Sequence, residues 1–288
     1  MPFLSQVILE SACEIADKVQ ATHIFIYADT VKDTKTLEEI AKRHPIIFAS
    51  KNEEVLEEVR PLVRHVLEVP QVNLTRTGQV KMAVMMGLSA GLVGSGDRIV
   101  CVAGVPRFGV LDSLIILDIG KEFEILTSSI ASIGESIKHE VFEGVLSLAV
   151  ELANEGREGK AIGTIFVLGD HDKVLQLSRQ LIFNPFRGYP EEERNILDPT
   201  LRETIKEFSA LDGAFVIRED GVVITAGRHL STALEEEDLP RGLGSRHVAA
   251  AGITHVTDAI AIVISESTGV VRIFKSGQIL MEIEKSSG

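Results

Sequence analysis

The chain has 288 residues, 45% of them hydrophobic and 25% charged, which is the composition of a folded globular protein and excludes general disorder. At roughly 150 residues per domain, that length suggests about two domains. The 42 acidic residues outnumber the 29 basic ones, and the resulting formal charge of −13 argues against nucleic-acid backbones as partners.

No run approaches the roughly 20 apolar residues that cross a bilayer. Met1 to Glu10 has neither a basic n-region nor a cleavage signature, so a cytoplasmic protein without membrane attachment is expected. Cys13 and Cys101 stand singly among apolar neighbours and read as buried thiols in a reducing compartment. Trp is absent and aromatics are only 5%, so Val, Ile, Leu and Ala must build the core.

In chain order, apolar residues from Phe3 to Val19 recur at helical spacing, and Ile24 to Tyr27 reads as a short buried strand. A helix over Leu37 to Arg43, a strand over Pro45 to Ala49 and a helix over Asn52 to Arg60 follow. After His65 to Val69, a helix runs through Met82 and Leu88, and Arg98 to Gly104 is another buried strand. Strands separated by helices imply crossover units, hence an α/β domain with a mostly parallel sheet.

That first domain is assigned residues 1–124 and the second residues 125–288. A long helical pattern from Ile125 to about Gly156 opens the second domain. Next come a strand over Gly163 to Leu168, a helix over Asp172 to Leu181 and a loop over Asn184 to Pro190. A helix over Thr200 to Phe208 leads into a strand-rich tail. Strands Ala214 to Arg218 and Val222 to Ala226 are joined by the hairpin signal Glu219-Asp220-Gly221. Ile260 to Ser265, Val270 to Phe274 and Ile279 to Ile283 complete a mixed-sheet α/β domain.

Most polar clusters have plain readings. Gly91 to Asp97 lacks the Lys-Ser/Thr of a phosphate loop and precedes a strand, so it reads as a turn. His171, between Asp170 and Asp172, lies at a helix start where an aspartate serves as cap. Glu235 to Asp238 reads as a solvated loop. One constellation differs. Asp212-Gly213-Ala214 opens a strand, and Gly242-Leu243-Gly244-Ser245-Arg246-His247 places a hydroxyl, a guanidinium and an imidazole at a helix N-terminus. Free N–H groups, the helix dipole, Ser245 and Arg246 make a polyphosphate cradle. Ser265-Glu266 ends a buried strand and adds a hydroxyl and a second carboxylate, suited to a divalent ion on a nucleoside triphosphate.

At these residues the sequence resembles the diadenylate cyclase domain family, whose paired signatures are Asp-Gly-Ala and, some 30 residues on, Gly-Thr-Arg-His-Arg. Here they stand as Asp212-Gly213-Ala214 and Gly244-Ser245-Arg246-His247-Val248, with matching flanks from about Ile125 to Glu284. Ser245 keeps the hydroxyl of the usual Thr, whereas Val248 removes the second Arg and so a cation. The resemblance implies condensation of two ATP into cyclic di-AMP and two pyrophosphates by a face-to-face pair of subunits. Asp212 and Glu266 would hold Mn²⁺ or Mg²⁺. Ser245, Arg246 and His247 would take the triphosphate with Ser265 nearby and Gly244 among the ATP-binding residues, while Gly213 and Ala214 would allow close approach of the sugar and base and Leu230 would lie against the adenine. Asp212, Arg246 and His247 are the catalytic candidates; the base is Asp212, or none if the metal lowers the hydroxyl pKa.

Two other classes remain in view. A nucleotide-binding regulatory protein with weak or no turnover is the alternative, motivated by Val248. DNA scanning is disfavoured by the acidic charge. The first domain resembles, through Pro45 to Ala49 and Gly91 to Gly104, the C-terminal domain of pyruvate kinases, an arrangement similar to the archaeal form of the enzyme. That resemblance implies no kinase activity. Thr75-Arg76-Thr77-Gly78 reads as a loop before a helix, with a sugar-phosphate role as the other option.

Overall fold

A computed structural model describes residues 3–29, 34–104, 109–119, 137–231 and 244–285. The chain forms two compact units, Met1–Ser128 with Ser286–Gly288, and Ser129–Lys285. The expected boundary at 124/125 lies outside the described residues, as do Gly242, Leu243 and the acidic run from Glu235 to Asp238.

In the first unit α1 (Phe3–Val19), β1 (His23–Tyr27), α2 (Thr34–Ala41), β2 (Ile46–Ser50), α3 (Glu53–Val59), β3 (His65–Glu68), α4 (Arg76–Ser89), β4 (Arg98–Ala103) and β5 (Ser113–Asp118) follow one another. The sheet order is β3-β2-β1-β4-β5. The β1–β2, β2–β3 and β1–β4 pairs are parallel and β4–β5 is antiparallel. Every residue of β2 is buried, as expected for a strand covered on both faces. Leu9, Ala12, Cys13 and Ala16 of α1 pack with Ile24, Ile26, Phe48 and Val102 on one face. α4 is buried from Gly78 to Leu88 except at Lys81, with Gly87 against the Phe25 ring.

Local chemistry explains several boundaries. The Asn52 side chain accepts the Glu54 N–H and starts α3, and Thr75 accepts the Gly78 N–H and starts α4. Thr75 to Gly78 is therefore the first turn of a capped helix, with Arg76 paired to Asp112. The Asp97 carboxylate accepts the Gly94 N–H and closes the turn read from sequence. Both cysteines are buried.

The second unit contains α5 (His139–Glu155), β6 (Ile165–Leu168), α6 (His171–Gln176), β7 (Ser178–Gln180), α7 (Leu201–Phe208), β8 (Ala214–Ile217), β9 (Val223–Leu230), α8 (Ser245–Val256), β10 (Ile260–Ile264), β11 (Val271–Lys275) and β12 (Gln278–Ile283). Seven strands are ordered β12-β11-β10-β6-β8-β9-β7. Only β6–β8 is parallel. Ala250, Ala251 and Ile253 of α8 pack on Ile165, Val167, Ala214, Ala261 and Val263. On β6 and β8, Phe166 and Phe215 stack with ring centres 5.0 Å apart.

Four expectations need correction. The helical pattern from Ile125 is broken at Lys138, which has extended backbone, so α5 begins at His139; residues 120–136 are not described. The helix expected through Leu181 ends at Gln176, because Ser178–Gln180 is drawn out as an edge strand against Arg228–Leu230. β9 accordingly runs four residues beyond Ala226, to Leu230. Asp170 stands at the N-cap of α6 without capping it; its carboxylate accepts the Asp258 N–H, and His171 pairs with Glu219.

Candidate active site

The strand registers gather the candidates at one end of the second sheet. Ile165 of β6 lies beside Ala214 of β8 and opposite Val263 of β10. The pairing stops at Ile165, Ala214 and Val263, so the segments that carry Gly163, Asp212 and Ser265 all leave the sheet at this end. Leu230 closes β9 at this end, buried in the cluster beneath α8.

Glycine is required at the first motif. Gly213 has φ +104°, and a Cβ there would lie 2.6 Å from the Gly227 carbonyl carbon. Its absence lets the Asp212 turn lie directly against β9. Gly163 serves the other side. A Cβ on it would fall 2.8 Å from Arg246 Nη1 and 2.9 Å from Glu266 Cβ, so the bare backbone just before β6 seats both residues.

A cleft of about 710 Å³ opens beside Gly163, lined in part by Gly244, Ser245, Arg246, His247, Ser265 and Glu266. Six of the ten candidates therefore share one cavity. Asp212, Gly213, Ala214 and Leu230 share the sheet end but do not line it. The N-cap of α8 is Gly244, which has no side chain to cap it, so the N–H groups of Ser245 and Arg246 are not taken by a cap. Such a terminus favours an anion. Arg246 Nη1 donates to Glu266 Oε2 at 3.0 Å. Their side chains are 36% and 59% exposed, and a pair so wet is worth about 0–1 kcal/mol. An incoming ligand can separate them at little cost.

His247 differs in being only 5% exposed. Its Nε2 lies 2.9 Å from Arg272 Nη1, and a guanidinium can only donate. The ring is therefore neutral, with its proton on Nδ1, and Nδ1 is buried without a partner. Burial, then the Arg272 charge, pull the imidazole pKa down to about 4. Arg272 and Lys160 also line the cleft. Sequence reading did not assign either as a site residue, because β11 and the segment before β6 carry no local motif. The signal lay in a lone Arg within a buried strand.

As to a metal, no group of three or more His, Cys, Asp or Glu side chains able to hold one occurs among the described residues. The donors lining the cleft are the Glu266 carboxylate and several hydroxyls, and Asp212 is at the same end of the sheet without lining it. That oxygen set fits a hard divalent ion whose coordination is completed by phosphate oxygens.

Comparison with known proteins decides the family. A diadenylate cyclase of Methanocaldococcus jannaschii is 31% identical over 98% of this chain and 97% of its own length. The chain belongs to the diadenylate cyclase family. A diadenylate cyclase of Haloferax volcanii is 36% identical over 76% of this chain and 79% of that one. Residues 151–279 match the family described as DisA bacterial checkpoint controller nucleotide-binding, which encloses every candidate site residue. Residues 4–127 match a probable sensor domain, DacZ_P. The crystal structure of DacA from Staphylococcus aureus matches 50% of this chain and 86% of that one, with TM-score 0.33 and 21% identity. Among the described residues of this diadenylate cyclase family member, no helix is long and apolar enough to cross a membrane.

Proposed function

We propose that this diadenylate cyclase condenses two ATP into cyclic di-AMP and two pyrophosphates at the sheet end that carries Asp212, Ser245–His247 and Ser265–Glu266. The observation that carries the reading is the cleft itself: an uncapped helix N-terminus, the guanidiniums of Arg246 and Arg272 and three seryl hydroxyls converge on it, beside a glycine that seats the Arg246–Glu266 pair. Arg246 leaves Glu266 for the triphosphate, where charge-assisted bonds replace a weak surface pair. Ser245, Ser265 and the first N–H groups of α8 hold the remaining phosphate oxygens. Asp212 and Glu266 would hold Mn²⁺ or Mg²⁺. Such an ion supplies charge neutralisation on the phosphates and acidifies a bound hydroxyl.

Asp212 faces the ribose 3′-hydroxyl and takes its proton or orients it. The 3′-oxygen attacks the α-phosphorus of the other ATP, and the bond to the pyrophosphate oxygen breaks. Positioning and charge neutralisation supply the rate. Gly213 and Ala214 leave room for the sugar, and Leu230 offers an apolar wall to the base.

The product's two-fold symmetry demands two nucleophiles and two α-phosphates, so two subunits meet face to face. Leu181 and Phe183 are exposed, and Ile182 between them abuts Gly227, the residue against which the Asp212 turn is laid. An apolar edge beside the site suits pairing with a second copy. The alternative, nucleotide binding without turnover, is not favoured. For the first unit, the pyruvate kinase C-terminal likeness suggests a ligand-responsive role in keeping with a sensor domain, and no kinase chemistry.

The test is direct. Purified protein with ATP and Mn²⁺ is expected to yield cyclic di-AMP and pyrophosphate, and Asp212→Asn to abolish the product with Tm unchanged. Near wild-type turnover by Asp212→Asn would show that the assignment of this carboxylate is wrong.

A further inference from the structure

The site assigned above draws on α8 and β10, yet its most enclosed cation comes from elsewhere. Arg272 stands on β11 with its side chain 16% exposed and lines the cleft beside His247 and Glu266. Its Nε donates to Glu282, and its Nη1 holds His247 Nε2 at 2.9 Å. Among the described residues Nη2 has no hydrogen-bond partner, although it is not a sealed buried atom. A guanidinium fixed at Nε and Nη1 with the remaining nitrogen left open is pre-organised to receive an anion.

His247 shows the same pattern. Arg272 fixes its proton on Nδ1, and Nδ1 has no acceptor although buried. A buried donor left unpaired costs about 1–3 kcal/mol, so it marks a place where an acceptor is missing. The atom lies beside Gly244, where a Cβ would be 4.0 Å from it, at the open start of α8. Two unpaired donors, Arg272 Nη2 and the buried His247 Nδ1, thus belong to side chains that line the cleft at the N-terminus of α8. At position 248 of that helix the chain carries Val instead of a second cation.

We infer that Arg272 is a triphosphate-binding residue of this cleft, supplying from β11 the guanidinium absent at position 248 and holding His247 as a neutral Nδ1–H donor to the same ligand. The inference rests on the cleft being the nucleotide site. It predicts that phosphate recognition here comes from Arg246 and Arg272, and that His247 contributes a hydrogen bond without a charge.

The experiment compares binding of ATP and AMP, each with Mg²⁺, to the full chain by calorimetry, for wild type, Arg272→Gln, Arg272→Lys and Arg246→Ala. Arg272→Gln is expected to weaken ATP about 10-fold or more and to leave AMP unchanged, because the lost contact is charge-assisted and reaches the outer phosphates. Arg272→Lys, which keeps the charge but loses the fork, gives the same selective loss at smaller size, and replaces the Gln variant if that one fails to fold. Equal losses for ATP and AMP, the signature of a residue that only braces β11, would overturn the inference, and so would no loss for either. Wild-type ATP affinity in Arg246→Ala is a different failure: it would move the nucleotide elsewhere and remove the underlying reading as well.

Discussion

At the scale of single residues, the neutral state of His247 has a consequence that can be measured without substrate. Its folded pKa is about 4, against about 6.5 for an unfolded histidine. Between these values the unfolded chain binds the extra proton. The stability tied to the neutral ring is therefore complete above about pH 6.5 and is lost as pH falls toward 4, by up to ~3 kcal/mol. His247→Gln should flatten the fall in unfolding free energy over that window relative to wild type; identical slopes would mean the ring is not held neutral. The two signature motifs were legible in the sequence because their chemistry is local: a glycine beside a carboxylate, and a hydroxyl and guanidinium at a helix start. Arg272 was not legible. It meets His247 only because β11 lies alongside β10 and beneath α8, and it is 25 residues away in sequence.

Among the elements, the buried strands β1, β2, β4, β6 and β10 announce themselves as unbroken apolar runs, since both faces of the sheet are covered. β5 and β7 do not. Ser178–Gln180 has no apolar alternation and becomes a strand only through pairing with β9, a distant partner that periodicity cannot reveal. β5 is an edge strand whose first four residues are half-buried or exposed, with Ile116 exposed. Helix pairing carries its own prediction. Glu151 of α5 takes two hydrogen bonds from Arg202 of α7, at 3.1 and 2.6 Å, and lies 3.4 Å from Lys206 Nζ. Burial alone would lower the Lys206 pKa, but Glu151, Glu155 and Glu203 outweigh it and hold it raised. Glu151→Ala leaves Lys206, itself 8% exposed, short of its most enclosed partner. The loss is expected to cost roughly 3 kcal/mol and lower Tm by several degrees. An unchanged Tm in a thermal melt would show the network to be idle.

For the molecule as a whole, sequence and structure divide the labour differently. Two α/β units, one mainly parallel and one mixed, followed from the order of apolar runs and glycine turns. The convergence of Asp212, Gly163, Ser265 and the start of α8 on one sheet end depends on strand order β10-β6-β8, which no local pattern states. On the proposed reading this sheet end offers each chain one nucleotide cleft, whereas the proposed product requires two 3′-oxygens and two α-phosphates in alternation. The central claim is therefore best tested by the rate of cyclic di-AMP formation per subunit, with saturating ATP and Mn²⁺, over a series of protein concentrations. The per-subunit rate should rise with concentration and level off as the pair saturates. A concentration-independent rate from a protein that remains monomeric throughout, or ATP binding with no cyclic di-AMP at any concentration, would contradict it.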